Sequence, residues 1–348
     1  MAEMNRCYLG DCRDVTRGLI AASVRVQCIV TSPPYFGLRD YGVEGQLGME
    51  AAPEEYVAAM VDVFRDARSL LADDGTLWLN IGDSYANDGK WGGSSSGKHV
   101  KALHGNTGVG RGKVKTGLKP KDLIGIPWML AFALRADGWY LRQEIIWHKP
   151  NPMPESVQDR CTKAHEHLFL LTKSERYHFD ASAISEEAAG DLPGNRRPIK
   201  GAEQDPEKHR TRAGLHDYAE RQRSRRYSFA RATKDTAAEH GQSAQHRPDR
   251  DDIDYAGRRN KRSVWTVATK PYSGAHFAVM PETLVEPCIL AGSRPGDIVF
   301  DPFMGSGTVA SVAQRLGRNW LGAELNPAYL DLQAERTRQP GLQLESAA

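Results

Sequence analysis

The 348-residue chain has no apolar run near the roughly 18 residues that a membrane-spanning helix needs. Its first residues, Met1-Ala2-Glu3-Met4-Asn5-Arg6, form no signal segment, and its last, Glu345-Ser346-Ala347-Ala348, form no lipidation box. The expectation is a soluble protein of the cytoplasm. Cysteines are few and odd in number (Cys7, Cys12, Cys28, Cys161 and Cys288), and no Cys-x-x-Cys pair occurs. That argues against a disulfide framework and a zinc ribbon, and reads as buried thiols in a reducing compartment. Cys161, His165 and His167 make no standard four-ligand set, so no metal is expected. A Gly-Lys-Ser/Thr triplet is also missing, which removes the lysine that a triphosphate-binding loop requires. What remains is 40% hydrophobic and 26% charged, a composition able to bury a core.

The net charge of +2 hides a strong asymmetry. Residues 86–121 carry eight Lys/Arg against the single acid Asp88, and residues 191–262 carry 18 Lys/Arg against 12 Asp/Glu. The rest of the chain is therefore acidic by 11 charges. Two basic segments on an acidic body suit contact with a polyanion, although solvated loops would also account for the charge alone. Both segments are poor in core-forming residues. Within 191–262 the only Leu, Ile, Val or Met are Leu192, Ile199, Leu215 and Ile253, so this stretch cannot bury itself and is expected to order on a partner. Arg221, Arg223, Arg225 and Arg226, beside Tyr227 and Phe229, are candidates for phosphate contact and stacking. The first segment, with Gly92-Gly93-Ser94-Ser95-Ser96-Gly97, reads as a long flexible loop.

Elsewhere the chain alternates short apolar runs with helical periodicity. Val26 to Val30 reads as a buried strand ending at Thr31, and Thr76 to Ile81 as the next. Between them, residues 53–72 put Tyr56, Val57, Met60, Val61, Phe64, Ala67 and Leu71 on one helical face behind Pro53. A helix over about 122–136 and strands near 139–147 and 167–172 follow. Late in the chain come a strand at 297–300, a helix from Thr308 to Leu316 closed by Gly317, a strand at 319–323 and a helix over 327–338. Such alternation implies an open, mostly parallel α/β sheet covered on both faces.

Two constellations carry chemistry. The first, Asp301-Pro302-Phe303-Met304-Gly305-Ser306-Gly307-Thr308, lies between a strand and a helix, and Glu324 follows at the end of the next strand. Strand, glycine turn, helix, strand and acid in that order suit an adenosine-containing cofactor with its ribose diol on the carboxylate. The second, Thr31-Ser32-Pro33-Pro34-Tyr35-Phe36, directly follows a strand. Two prolines fix two φ angles and remove two N–H donors, so the local carbonyls are expected to lack internal partners. The Ser32 oxygen and Pro33 carbonyl beside the Tyr35 ring would suit a planar heterocycle with an exocyclic NH2.

Ser-Pro-Pro-Tyr together with Asp-Pro-Phe-x-Gly-Ser-Gly-Thr resembles the DNA amino-methyltransferases, the N4-cytosine and N6-adenine enzymes. The catalytic motif precedes the cofactor motif, which is similar to the permuted β-group order, and the likeness spans most of residues 5–180 and 263–335. It implies a Rossmann-like, S-adenosylmethionine-dependent fold with a mixed seven-stranded sheet and helices on both faces. It also implies a division into a catalytic half, 1–180, a target-recognition insertion, 181–262, and a cofactor-binding half, 263–340. Ser32, Pro33, Pro34 and Tyr35 would be catalytic. Phe303, Gly305, Ser306, Gly307 and Thr308 would embrace the methionine part of the cofactor, with Asp301 near its amino group and Glu324 on the ribose. Gly10-Asp11-Cys12 resembles the segment at the adenine ring, and His276-Phe277-Ala278 with Pro281 the segment that closes over the methionine. Trp147-His148-Lys149-Pro150-Asn151 resembles the wall opposite Tyr35. The implied partner is double-stranded DNA; a restriction endonuclease partner and a homodimer are left open. Serine at the first motif position leans to N4 of cytosine, with N6 of adenine as the alternative. A nicotinamide oxidoreductase would give Ser32-Pro33-Pro34-Tyr35 no role, and a protein-glutamine methyltransferase would typically start that motif with Asn. A non-catalytic DNA-binding protein is the remaining rival, disfavoured by the intact pair of motifs.

Overall fold

The computed structural model describes residues 3–38, 41–86, 117–187, 258–269 and 279–338. The arginine cluster at 221–226, the interior of the glycine-rich stretch, and His276 and Phe277 lie outside the described residues. The chain divides into two compact units: residues 1–184 with 260–348, and residues 185–259. In the second unit, β6 (Glu186–Glu187) pairs antiparallel with β7 (Arg258–Arg259), and Arg259 bonds Glu186 at 3.0 Å.

The first unit is built on one sheet. Its strands are β1 (Arg6–Leu9), β2 (Val26–Thr31), β3 (Leu71–Ile81), β4 (Tyr140–His148), β5 (His165–Thr172), β8 (Val264–Thr266), β9 (Ile298–Asp301) and β10 (Asn319–Glu324). They lie in the order β1-β10-β9-β2-β3-β5-β4-β8. Only β5 runs against the others. Among the described residues this mixed, mostly parallel sheet has eight strands where the resemblance implies seven; β8, three residues long, extends the edge beside β4.

Successive strand residues face opposite sides, and the two cores follow that period. Ile29, Leu77, Leu79, Phe169, Phe300 and Leu321 pack with α1 (Cys12–Ala21), α2 (Pro53–Leu70) and α3 (Ile126–Ala136). Cys28, Val30, Trp78, Leu168, Leu170 and Val299 pack with α4 (Glu282–Gly292) and α5 (Thr308–Arg315). Each fully buried Leu, Ile or Phe contributes roughly 1.5–3 kcal/mol, so both faces favour this register strongly. The predicted face of α2 holds at Tyr56, Val57, Met60, Phe64 and Ala67, but the stripe ends on Val63 and Leu70. Leu71 already has extended backbone and belongs to β3. The C-terminal helix starts later than its periodicity suggests, with a 3-10 turn at Pro327–Tyr329 before α6 (Leu330–Thr337), because Asn326 caps the turn through Ala328 N–H. The expectation of buried thiols holds for Cys12, Cys28 and Cys288 and fails at Cys161, which is exposed in a segment without regular structure. Ala86 exchanges backbone hydrogen bonds with Lys121 and Asp122, and Tyr85 bridges to Leu123.

This topology sends the ends of β1, β10, β9, β2, β3 and β4 to one edge of the sheet. Antiparallel β5 brings its first residues, His165 to His167, to the same edge, with His167 opposite both Ile81 and Ile146.

Candidate active site

The two motifs, 270 residues apart in sequence, meet there. β2 and β9 are adjacent parallel strands, and at their ends the Thr31 hydroxyl donates to Asp301 Oδ1 at 2.6 Å. Asp301 Oδ1 also accepts the Phe303 N–H at 3.0 Å, which folds the chain back at the strand end. Burial pushes the Asp301 carboxyl up to about 7; the Thr31 and Phe303 hydrogen bonds oppose that rise, and the nearby Glu324 charge adds to it. No Lys or Arg forms an ion pair with it among the described residues.

After Phe303 the turn is held by its neighbour strand. Met304 N–H bonds the Ala323 carbonyl, and Gly305 N–H donates to Glu324 Oε2 at 2.8 Å. Glu324 Oε1 accepts from Asn326 N–H at 2.7 Å. A carboxylate has about four acceptor sites, so two hydrogen bonds leave Glu324 room for a diol. Burial raises its pKa, against hydrogen bonds from Asn326 and Gly305. Gly307 caps α5 in the left-handed region at φ +83°, where a Cβ would press on the Gln333 backbone at 3.2 Å. Gln333 donates to the Gly305 carbonyl at 2.7 Å, and Arg336 to the Thr308 hydroxyl. Ser306 Oγ is buried without a hydrogen-bond partner among the described residues. An orphaned hydroxyl between two left-handed glycines, beside buried Asp301 and half-satisfied Glu324, fits a polar ligand with cationic and diol groups.

β1 lies next to β10, and Gly10 N–H bonds the Glu324 carbonyl at 2.8 Å, so the Gly10-Asp11-Cys12 segment adjoins the turn. Asp11 caps α1 through Arg13 N–H, and the Arg13 guanidinium pairs with its carboxylate and holds it below the usual range. The Cys12 thiol is buried and pushed up to about 12. Pro281 is buried with extended backbone ahead of α4, and its carbonyl accepts from Leu284 and Val285; no polar contact ties it to the other predicted residues among the described ones.

Across the Thr31–Asp301 contact lies the second motif. The expectation that both proline carbonyls lack partners is corrected at Pro34, which accepts the Tyr56 hydroxyl from α2 at 2.8 Å. Pro33 O takes no hydrogen bond among the described residues. The Tyr35 ring lies against Gly82, where a Cβ would sit 2.6 Å from its Cε2. Its hydroxyl donates to Glu166 Oε2 at 2.7 Å and accepts from Asn80 Nδ2 at 3.0 Å and from Ser32 Oγ at 3.4 Å. Asn80 Nδ2 also reaches Ser32 Oγ at 3.3 Å and Glu166 Oε2 at 3.1 Å. The other Glu166 oxygen is taken by Lys149, whose ammonium sits 4.3 Å from the Trp147 ring centroid. Burial works against a charged Glu166, but the Lys149 charge and the hydrogen bonds from Lys149, Tyr35 and Asn80 outweigh it and hold the carboxyl below its ordinary value. Burial, then the Glu166 charge, push the Tyr35 phenol well above its usual range, so it keeps its proton.

Sequence reasoning missed Asn80 and Glu166, which looked like ordinary strand residues, and the supports Gln333, Arg336 and Gly82. Lys149 lay in the segment expected to wall the pocket, but its pairing carried no sequence signal. Among the described residues no cluster of His, Cys, Asp and Glu could hold a metal, and no helix is long and apolar enough to cross a membrane.

Comparison with known proteins converges on one family. The DNA methylase model of the N6/N4 type matches residues 26–336. The chain is 43% identical over 337 residues to the type II methyltransferase M.Cfr9I of Citrobacter freundii, covering 96% of this chain and 88% of that protein. It is 42% identical to M.SmaI of Serratia marcescens, covering 95% and 90%. Among solved structures it is similar to the PvuII DNA methyltransferase, described as cytosine-N4-specific, with TM-score 0.57 and 15% identity over 98% of this chain and 89% of that one. M1.HpyAVI in complex with SAM superposes with TM-score 0.50 at 16% identity, covering 96% and 99%.

Proposed function

The chain belongs to the N6/N4 DNA methylase family and is a type II DNA methyltransferase, and we propose that it methylates N4 of a cytosine flipped out of duplex DNA, with S-adenosylmethionine as donor. The observation that carries this reading is the Thr31–Asp301 hydrogen bond, which makes the acceptor motif and the glycine turn neighbours at one edge of the sheet. The cofactor supplies an electrophilic methyl group on a sulfonium. Asp301, Phe303, Gly305, Ser306, Gly307, Thr308 and Glu324 would hold it, with Asp11 and Cys12 at its adenine end; His276 and Phe277 complete the expected set from outside the described residues, with Pro281 following them.

The chain's own contribution is to make a poor nucleophile usable. An exocyclic amine on cytosine is delocalised into the ring. Acceptors at Ser32 Oγ and the Pro33 carbonyl would take its two hydrogens and favour a pyramidal nitrogen with a localised lone pair, a transition-state effect of fixed dipoles. Tyr35 offers a ring for the extruded base to stack on. Once methylated, the nitrogen is cationic and loses a proton readily, so no strong base is required. Serine at position 32 supports cytosine over adenine.

The test is tritiated-methyl transfer to DNA followed by nucleoside mass spectrometry. N4-methylcytosine is the expected product; N6-methyladenine alone would reverse the base, and no transfer at all would leave a DNA-binding protein with a methyltransferase fold. Ser32→Ala and Tyr35→Ala should each lower kcat by on the order of 10² or more. Unchanged rates in both would remove the motif from the mechanism.

A further inference from the structure

The acceptor role given to Ser32 raises a question that the motif alone does not answer. A serine hydroxyl has one hydrogen and two lone pairs, and rotates to suit its neighbours. If its hydrogen pointed into the cleft, Ser32 would repel the amine hydrogens that it is meant to accept. Something must draw that hydrogen inward.

The side chains behind Ser32 form a directed chain. Glu166 has no hydrogen to give when ionised, so the Tyr35 hydroxyl, 2.7 Å away, must donate to it. With its only hydrogen spent, the Tyr35 oxygen can only accept, and Ser32 Oγ at 3.4 Å is placed to donate to it. Asn80 Nδ2, at 3.3 Å, fills one Ser32 lone pair, which leaves the second lone pair for a ligand. The two Asn80 Nδ2 hydrogens are shared among Ser32, Tyr35 at 3.0 Å and Glu166 at 3.1 Å, so at most one Ser32 lone pair is taken and all three oxygens face Asn80 as acceptors. Lys149 on the far oxygen keeps Glu166 charged in a half-buried site. Every hydrogen in the chain therefore runs toward Glu166, from Ser32 through Tyr35.

We propose that Glu166, kept ionised by Lys149, is a positioning residue that fixes the hydrogen-bond direction of Tyr35 and Ser32, so that Ser32 presents an acceptor to the exocyclic amine. The inference rests on the amino-methyltransferase reading and adds to it a residue that lies 131 positions from Tyr35. Its chemical content is polarity and not shape. A neutral amide of the same size in place of Glu166 can donate to the Tyr35 oxygen, which frees the Tyr35 hydrogen to occupy the Ser32 lone pair.

The experiment is Glu166→Gln in the full chain, with Tyr35→Phe and the double variant, assayed for kcat, KM for DNA and S-adenosylmethionine binding. Wild-type transfer is measured first; its absence would sink the functional reading and, with it, the role of Glu166. Given an active wild type, Glu166→Gln should lower kcat about ten- to a hundredfold, the scale of a hydrogen bond to a charged group. KM for DNA and cofactor affinity should stay within about threefold, within the free-energy scatter of a surface substitution. In the Tyr35→Phe background, where the relay is cut, Glu166→Gln should cost less than about threefold more. A wild-type kcat in Glu166→Gln, or multiplicative losses in the double variant, would overturn the proposal while leaving the methyltransferase reading intact. Loss of cofactor binding in Glu166→Gln would assign it a role in holding the fold and overturn it equally.

Discussion

The proposed catalytic and cofactor halves each hold a carboxylate, half-buried Glu166 and buried Asp301, and the two differ in who supplies the counter-charge. Glu166, in the catalytic half, is paired by Lys149 and held below its ordinary pKa despite burial. Asp301, in the cofactor half, has hydrogen bonds from Thr31 and Phe303 but no cation beside it among the described residues, and burial pushes it up to about 7. One carboxylate is paired by the chain's own lysine; the other is held by hydrogen bonds alone among the described residues. The α-ammonium of S-adenosylmethionine, under the proposed assignment, is its counter-charge. An internally paired site stays rigid whether or not substrate is present, whereas an unpaired acid couples ligand binding to protonation.

The largest expected effect comes from that unpaired acid. In the ligand-free protein Asp301 keeps its proton across a pH range where the unfolded chain has lost it. Its contribution to stability is therefore full below the ordinary carboxylate pKa and falls as pH rises toward about 7. At 1.36 kcal/mol per pKa unit, the rise from 3.8 to about 7 makes the loss about 4 kcal/mol. Glu166 has the opposite sign, adding stability above its ordinary pKa and losing it as pH falls. Asp301→Asn, neutral at every pH, should gain Tm relative to wild type as pH goes from 5 to 8. S-adenosylmethionine should raise the wild-type Tm more at pH 8 than at pH 5, and should lose that pH dependence in the variant. Parallel Tm curves for the two proteins would mean that Asp301 is already ionised, and the contrast between the halves would disappear.

A smaller effect is expected at Gly82, behind the Tyr35 ring. A Cβ there sits 2.6 Å from Tyr35 Cε2 and 3.0 Å from Cδ2, so in Gly82→Ala the Tyr35 ring must shift, and its hydroxyl bonds to Glu166 and Asn80 shift with it. Displacement by about 1 Å is enough for on the order of 10² in rate when positioning is the source of catalysis. The expected result is a kcat loss of that size with cofactor affinity unchanged, read from single-turnover transfer and a binding titration. A kcat within twofold of wild type would show that Tyr35 need not be fixed.

The halves also differ in how far the sequence discloses them. Most of the cofactor half is one continuous segment: Asp301, the glycine turn and Glu324 fall within two strands and a helix, and their contacts are mostly backbone to side chain over short separations, with only Asp11 and Cys12 brought in from the other end of the chain. Strand and helix periodicity therefore located it, along with β2, α2 and the late strands. The catalytic half is assembled by sheet order. Asn80 on β3 and Glu166 on β5 reach Tyr35 only because β5 inserts antiparallel between β3 and β4, and no local period encodes that. A polar residue at a strand end looks the same in sequence whether it faces solvent or a catalytic hydroxyl. The eighth strand was illegible for a similar reason, since three residues carry too little alternation to register. The Pro34 carbonyl was misjudged because its partner, Tyr56, sits on a helix whose face was read only for apolar packing.

The smallest expected effect separates backbone support from side-chain support in the cofactor half. Gly307 holds φ +83°, and a Cβ would meet the Gln333 Cα at 3.2 Å, an atom that cannot rotate aside. In Gly307→Ala the left-handed backbone alone costs roughly 1–2 kcal/mol. Relief by moving α6 would also loosen the Gln333 bond to the Gly305 carbonyl. Weaker cofactor binding, by about tenfold or 1.4 kcal/mol, should be the main consequence, with a lowered Tm and a smaller loss in kcat at saturating cofactor. Gly82→Ala and Gly307→Ala then fail in opposite ways, one in turnover and the other in affinity. If both variants lost kcat and affinity together, the cleft would behave as one coupled unit through Thr31–Asp301, and the self-sufficiency of the catalytic half would have to be given up.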